Sequence, residues 1–380
     1  MNYKRLGDYI REVDVRNEDD SITNLLGINI DKYYMPSVAN VVGTDLSRYK
    51  VVEKGQFACN RMHVGRDKRL PVALSIKEDR FIVSPAYDVF EIIDKKELLP
   101  EYLMMWFSRK EFDRNTWFYT DADVRGGLNW NTFLDMQLPI PSPEKQREIV
   151  AEYNAVQRRI DLNNQLIQKL EETAQTIYKQ WFVEDQNCDF KTVEIGNFGN
   201  VVTGKTPSSE CPEDFGNNIP FITPGDFKNY NKFALGAERN LSEIGYIKLK
   251  NKILPKGSVI VTCIGSDMGK VAIAFDACIT NQQMNSIIVD KSYYSDFLYY
   301  YLISISKEIK GIAMGGSTMP MLSKSDFEKI ELLKPLDETL IEFEKVMSPI
   351  NEMNILYSNE NYKLSEMSNL LLSKMVTIEN

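Results

Sequence analysis

The stretch EKQREIVAEYNAVQRRIDLNNQLIQKLEETAQTIYKQW, Glu144 to Trp181, decides how this chain is built. Taken in alternating steps of four and three it reads Ile149, Tyr153, Val156, Ile160, Asn163, Ile167, Leu170, Ala174, Ile177 and Trp181. That spacing keeps one narrow apolar seam on a helix, and a narrow seam must lie against a partner. At 1.5 Å rise per residue the helix is roughly 55 Å long. Glu148, Glu152, Arg158, Arg159, Lys169, Glu171 and Glu172 fall outside the seam and suit a solvated face. Asn163 is a polar residue inside it, a placement that fixes register at some cost in stability. Upstream, Pro139-Ile140-Pro141-Ser142-Pro143 stops the preceding element, and Ser142-Pro143 with Glu144 starts the helix.

The partner lies at the other end of the chain. Ile350, Met353, Tyr357, Glu360, Leu364, Met367 and Leu371 form a second seam of the same kind, with polar Glu360 where Asn163 falls in the first. Pro349 marks its start or a kink.

The segments before the two seams repeat one plan. Leu6-Gly7-Asp8-Tyr9 matches Ile195-Gly196-Asn197-Phe198, and Glu53-Lys54-Gly55 matches Pro255-Lys256-Gly257. Glu101-Tyr102-Leu103 matches Asp296-Phe297-Leu298, each opening an aromatic helix, the first spanning Pro100 to Arg114. Gly126-Gly127, Phe133-Leu134-Asp135-Met136 and Pro141 with Glu144 match Gly315-Gly316, Phe327-Glu328-Lys329-Ile330 and Pro335 with Glu338. The order holds while the spacing drifts, which marks a duplicated domain with divergent loops. The expected architecture is α+β. Two mixed α/β domains, 1-142 and 187-336, are joined by long helices, 143-186 and 337-380, that pair antiparallel as a coiled coil about a pseudo-two-fold axis. The helix length allows a domain separation of roughly 50–60 Å, near one to two turns of B-DNA at about 34 Å each.

Composition narrows the function. With 43% hydrophobic and 26% charged residues the chain has an ordinary globular balance. The first residues carry no apolar core of a signal peptide, no apolar run reaches membrane-spanning length, and the expected location is the cytoplasm. Five cysteines without a CxxC pair, and a single histidine, His63, argue against zinc. The net charge of −9 argues against indiscriminate coating of nucleic acid, while leaving room for a local basic surface.

Catalytic motifs are missing. Gly199-Asn200-Val201-Val202-Thr203-Gly204-Lys205-Thr206 matches the phosphate-loop pattern. That loop must lead into a helix, however, and Pro207, Ser208, Ser209 and Pro212 follow instead. It reads better as an exposed loop in which Lys205 and Thr206 hold a DNA phosphate. There is no Asn-Pro-Pro-Tyr or Asp-Pro-Pro-Tyr segment for a flipped adenine and no glycine-rich turn for S-adenosylmethionine.

Basic and amide residues gather in loops. In the first copy they are Arg61, His63, Arg66, Lys68 and Arg69, then Arg125, Asn129 and Asn131 beside Trp130. In the second they are Lys205, Thr206 and Ser208, then Thr223 and Lys228, Gln282 and Gln283, and Ser317 and Thr318. Arg reads guanine and Asn or Gln reads adenine, while Lys, Ser and Thr hold phosphates. For any one of them a solvated polar loop is the bland alternative; the clusters together favour DNA. A scaffold joining two protein-binding domains is the competing function class.

With these residues in view the chain resembles the specificity subunit of type I restriction–modification systems, over essentially its whole length. Val202-Thr203-Gly204-Lys205-Thr206-Pro207-Ser208 is similar to the opening loop of many target recognition domains, and Leu254-Pro255-Lys256-Gly257-Ser258-Val259-Ile260-Val261 to their internal strand. Gly316-Ser317-Thr318, and Pro139-Ile140-Pro141 with Glu144 and Gln146, resemble the runs into the family's helices. The first domain departs from the pattern, lacking a Thr-Pro-Ser loop after Asp8-Tyr9. The resemblance implies that each domain reads half of a bipartite, asymmetric double-stranded DNA site and that the helices set the spacer. It implies two methyltransferase subunits that methylate adenine with S-adenosylmethionine, and two restriction subunits that use ATP and Mg2+. The chain itself would bind no cofactor or metal and catalyse nothing.

Overall fold

The computed structural model describes residues 3–37, 43–76, 79–120, 126–184, 190–265, 267–313 and 321–377. The chain forms two compact units, Met1–Arg159 with Lys363–Asn380, and Ile160–Tyr362. Both long helices pass from one unit into the other, so each unit contains a length of both.

In the first unit Tyr3–Arg5 pairs antiparallel with Gln137–Pro139. After a 3-10 turn, Leu6–Asp8, the chain enters a sheet in the order Ile10–Val13, Asp88–Ile92, Gln56–Cys59, Val72–Leu74. The second unit repeats this. Lys191–Glu194 pairs antiparallel with Glu331–Lys334, and the turn Ile195–Phe198 follows. The sheet then runs Gly199–Thr203, Met284–Val289, Val259–Thr262, Val271–Ala274, with Phe233–Ala234 added at the edge.

The matched glycines do the same work. Gly55 and Gly257 both have positive φ, 83° and 87°, a region where a Cβ is strained. Their amides donate to Ser75 O and Ala274 O, each at 2.8 Å, at the ends of equivalent strands. Equal sheet order, equal turns and equal backbone bonds make the two units copies of one α+β design.

One expected helix is two. Pro100–Phe107 stops at Ser108, whose hydroxyl donates to Met104 O at 2.9 Å, and Lys110–Phe118 restarts after an extended Arg109. The counterpart in the second unit is Tyr294–Ser304 followed by Ser306–Ala313. Phe57, Phe90, Phe107 and Phe133 fill the first core, to which Leu372 and Met375 also belong. Phe198, Phe297, Tyr300 and Phe327 fill the second, with Ala174, Tyr178, Leu340, Phe343 and Met347 from the long helices.

The central helix is Pro143–Lys179, 37 residues, ending in a π-helical turn Gln180–Glu184. Its start is bolted down by Gln146, fully buried. The Gln146 amide donates to Glu97 O at 2.7 Å and Pro141 O at 2.9 Å, and its oxygen accepts from Leu99 N–H at 2.8 Å. Along the seam Val156, Asn163, Ile167 and Ala174 are buried, while Ile149, Tyr153, Ile160, Leu170, Ile177 and Trp181 are half-buried.

The C-terminal helix is Asp337–Lys374, and Pro349 lies inside it. Its seam differs from the expected one. Ile350, Tyr357, Leu364 and Leu371 face inward, but Met353 and Met367 are 43% and 50% exposed. The buried positions are one residue on, at Asn354 and Ser368. The true register is Phe343, Met347, Ile350, Asn354, Tyr357, Asn361, Leu364, Ser368, Leu371, Met375, an unbroken 4-3 repeat in which three of the residues are polar.

Two of them, Asn361 and Ser368, are partnered across the helix pair. In the second unit the Asn163 amide donates to Glu360 Oε2 at 3.1 Å and to Asn361 Oδ1 at 3.0 Å, and the Asn361 amide donates to Asn164 Oδ1 at 2.8 Å. Farther along, the ring of Tyr178 meets that of Phe343, so within this unit the helices run antiparallel. In the first unit the Gln157 amide donates to Ser368 Oγ at 2.8 Å.

Candidate nucleic-acid interface

In each unit one end of the shared sheet, where the first strand leaves and its neighbour enters, carries the polar loops. In the first unit two of the expected clusters meet there. Gly65 N–H donates to Gly126 O at 2.7 Å, and Leu128 N–H donates to Arg61 O at 3.0 Å. A Cβ on either Gly65 or Gly126 would sit 2.7 Å from the other's Cα, so both positions need glycine. Gly65→Ala is expected to push the two loops apart. The added methyl has no room, so the first unit should lose on the order of 1–3 kcal/mol of stability, read by thermal denaturation.

Arg61 has partners within its own unit. Its guanidinium pairs with Asp88 at 2.6 Å, donates to Leu128 O and lies over the Trp130 ring at 5.2 Å. It holds the 126–131 loop to the sheet. Asn129 is likewise a cap: its side chain accepts from Asn131 N–H at 2.9 Å and starts the helix Trp130–Asp135. Ser323 does the same for Lys324–Glu328. His63 is half-buried at the head of the short helix Val64–Asp67.

The outer rim is open. Among the described residues Arg66 pairs with its neighbour Asp67, Arg69 with exposed Asp31 at 2.9 Å, and Lys68 lies over the Trp117 ring at 4.8 Å. Exposed pairs of this kind contribute about 0–1 kcal/mol, so a phosphate can compete for the guanidinium. Asn131 is exposed. Arg125 lies outside the described residues.

The second unit gathers three loops. Gly204 N–H donates to Met284 O at 3.2 Å, Lys205 N–H to Thr280 O at 2.9 Å, and Asn281 N–H to Ile222 O at 3.1 Å. A Cβ on Gly204 would lie 2.2 Å from Asn281 O. The glycine of the phosphate-loop pattern is therefore spent on close contact between loops, and Gly199–Thr203 before it is a strand. Thr206 Oγ1 donates to Gln282 Oε1, joining two expected contact residues. Gln283 accepts from the Asn281 amide at 3.0 Å.

Thr223 is also engaged within its own unit: its hydroxyl and N–H both donate to Asp226 Oδ2 at 2.7 Å, capping the turn Pro224–Asn229. Ser208 Oγ accepts from Glu210 N–H at 3.2 Å and fixes a loop. Lys228 pairs with Glu238 at 3.2 Å, both exposed. Lys205 is exposed and has no ion-pair partner among the described residues. Ser317 and Thr318 lie outside the described residues.

Two features escaped the sequence. The run Trp117-Phe118-Tyr119 is exposed beside the first basic loop. Its signal was three consecutive aromatics at a helix end, which cannot all face inward. Lys232 is fully buried and ion-paired with Asp296 at 2.6 Å, a partner too distant in sequence to be read. No cluster of metal-ligating side chains occurs among the described residues.

Comparison with known proteins follows the same lines. Residues 187–355 match the model of the type I restriction modification DNA specificity domain. The type I restriction enzyme HindI specificity subunit of Haemophilus influenzae is 26% identical, over 98% of both chains. The MjaIX specificity subunit of Methanocaldococcus jannaschii is 32% identical over 47% of this chain and 42% of its own. Among solved structures, the type I restriction–modification S subunit from M. genitalium superposes with a TM-score of 0.59 at 13% identity, covering 100% of this chain and 96% of the other, and so shares the fold.

Proposed function

Since the chain belongs to the family of type I restriction–modification specificity subunits, we propose that each of its two units reads one half of a bipartite, asymmetric duplex DNA site and that the paired helices set the spacer. Two methyltransferase subunits bound to it methylate adenine from S-adenosylmethionine. Two restriction subunits add ATP- and Mg2+-dependent translocation and cleavage. The chain itself supplies recognition and no chemistry. The observation that carries this reading is the repeated placement of polar, cationic loops at one end of the same sheet in both units. Glycines at Gly65, Gly126 and Gly204 let those loops touch, which makes a shaped surface out of flexible segments.

The test uses the full chain with its methyltransferase partner. Methylome sequencing of a host carrying both should return one split motif, and purified complex should protect it with affinity falling steeply as salt rises. Lys205→Ala should weaken binding to all sequences alike and reduce the salt slope by about one. Binding without sequence preference would overturn the reading in favour of a scaffold.

A further inference from the structure

Phe118 is 79% exposed, the most exposed large hydrophobic side chain among the described residues. It stands at the end of a helix that is firmly held. Phe112, one face down, is 3% exposed, and its ring lies 4.9 Å from that of Phe107. Asp113 on the same helix accepts from Leu70 N–H at 3.2 Å, and it pairs with the nearly buried Lys32 at 2.7 Å. The helix is thus tied to the end of the basic loop that runs from Arg61 to Arg69. Trp117 adds a second tie through the Lys68 ammonium 4.8 Å above its ring. Tyr119 braces Phe118 edge to face, with centroids 5.2 Å apart and planes at 83°.

A rigid apolar tip costs solvation unless something covers it. Charge indicates what does. Arg114, 72% exposed and paired with half-exposed Glu111 at 3.2 Å, lies one turn before Phe118 on the same face, and Arg66, 68% exposed and paired with Asp67 at 2.7 Å, belongs to the adjoining loop. An apolar wedge flanked by cations on a rigid mount is what a protein needs to enter a base step while holding the phosphates on either side. A protein-docking surface would be expected to lack charge at its centre.

We propose that Phe118, braced by Tyr119, inserts between two base pairs beside the first unit's contact loops and unstacks that step. The inference rests on the DNA-reading function above and adds a local distortion to it. Extruding an adenine for methylation is easier next to a broken stack, so the wedge also prepares the target for the partner's chemistry.

The experiment uses the full chain assembled with its methyltransferase and a duplex carrying the split motif, with 2-aminopurine placed in turn at each adenine and flanking position. Wild type should brighten the probe at one step of the first half-site. Phe118→Ala should abolish that signal and lower affinity roughly tenfold, about 1.4 kcal/mol, with an unchanged circular dichroism spectrum. Phe118→Leu, still an apolar wedge, should keep most of the signal. Sequence-specific binding whose 2-aminopurine response is the same in wild type and Phe118→Ala overturns the wedge and leaves the DNA reading standing. Loss of methyltransferase from the Phe118→Ala complex, with the optical signal intact, also overturns it and assigns the tip to a protein contact. Absence of any sequence preference in the wild-type complex sinks both.

Discussion

Replacing Lys232 with alanine is expected to cost the second unit about 3–5 kcal/mol. Its side chain is 1% exposed, and its ammonium pairs with Asp296 at 2.6 Å, itself 9% exposed. It also donates to Tyr300 Oη at 3.0 Å and to Asn351 Oδ1 at 2.8 Å. Asn351 in turn donates to both Asp296 oxygens, and the Tyr300 hydroxyl donates to Glu171 Oε2 at 3.3 Å. This one node ties the edge strand to an aromatic helix and to both long helices within the unit. Burial pushes the Glu171 carboxyl above the usual carboxylate range, and the Lys232 charge opposes that shift. Removing the ammonium would leave Asp296 desolvated and short of its counterion, the costly half of a broken buried pair. Urea denaturation followed by tryptophan fluorescence should show the loss. Lys232→Met combined with Asp296→Leu should be milder than Lys232→Met alone, because no orphan charge remains. A single-site cost below about 1 kcal/mol would mean that water reaches the node and screens it.

The same node shows where sequence reasoning stops. Lys232 sits in Tyr-Asn-Lys-Phe, an ordinary-looking turn, and its partners are 64 to 119 residues away. Local pattern cannot see such pairings, because burial is decided by tertiary contact. The central helix was legible for the opposite reason: its apolar seam is periodic, and period is a local property. The duplication was legible because positive-φ glycines such as Gly55 and Gly257 are constrained by backbone geometry, whatever happens to the loops around them. The contact loops were only partly legible. Arg61, Asn129 and Thr223 have the chemistry to touch DNA, yet each has a closer partner inside its own unit. A cation or amide in a loop is as suited to holding the loop as to holding a ligand, and sequence alone does not separate the two.

The C-terminal seam was misread at Met353 and Met367 because a search for apolar residues preferred methionine to the adjacent Asn354 and Ser368. The heptad spacing was right, and the residue type was the error. Asn163, Asn361 and Ser368 are buried or half-buried and hydrogen-bonded across the pair, so the wrong register would leave these groups unpaired away from water. Leucine zippers of uniform composition slide; a seam with paired amides at intervals does not. This bears directly on the proposed spacer, since a ruler requires a fixed register.

The second large effect is therefore an insertion. Adding seven residues after Leu166 and seven after Tyr357, opposite each other in the pair, would lengthen both helices by about 10 Å while turning them through nearly two whole turns. The seam faces then stay matched, and the polar pairs on either side keep their partners. The spacer of the methylated motif should grow by about 3 base pairs at roughly 3.4 Å each, with both half-sites unchanged, as read by methylome sequencing. The same seven residues placed in one helix alone would slide Asn163 off Glu360 and Asn361, or else bulge the longer helix, and either outcome should weaken the pair. The contrast between matched and unmatched insertion is what separates a ruler from a tether. A flexible tether would tolerate both insertions and broaden the spacer in each. A ruler accepts only the matched one and moves by a single defined step.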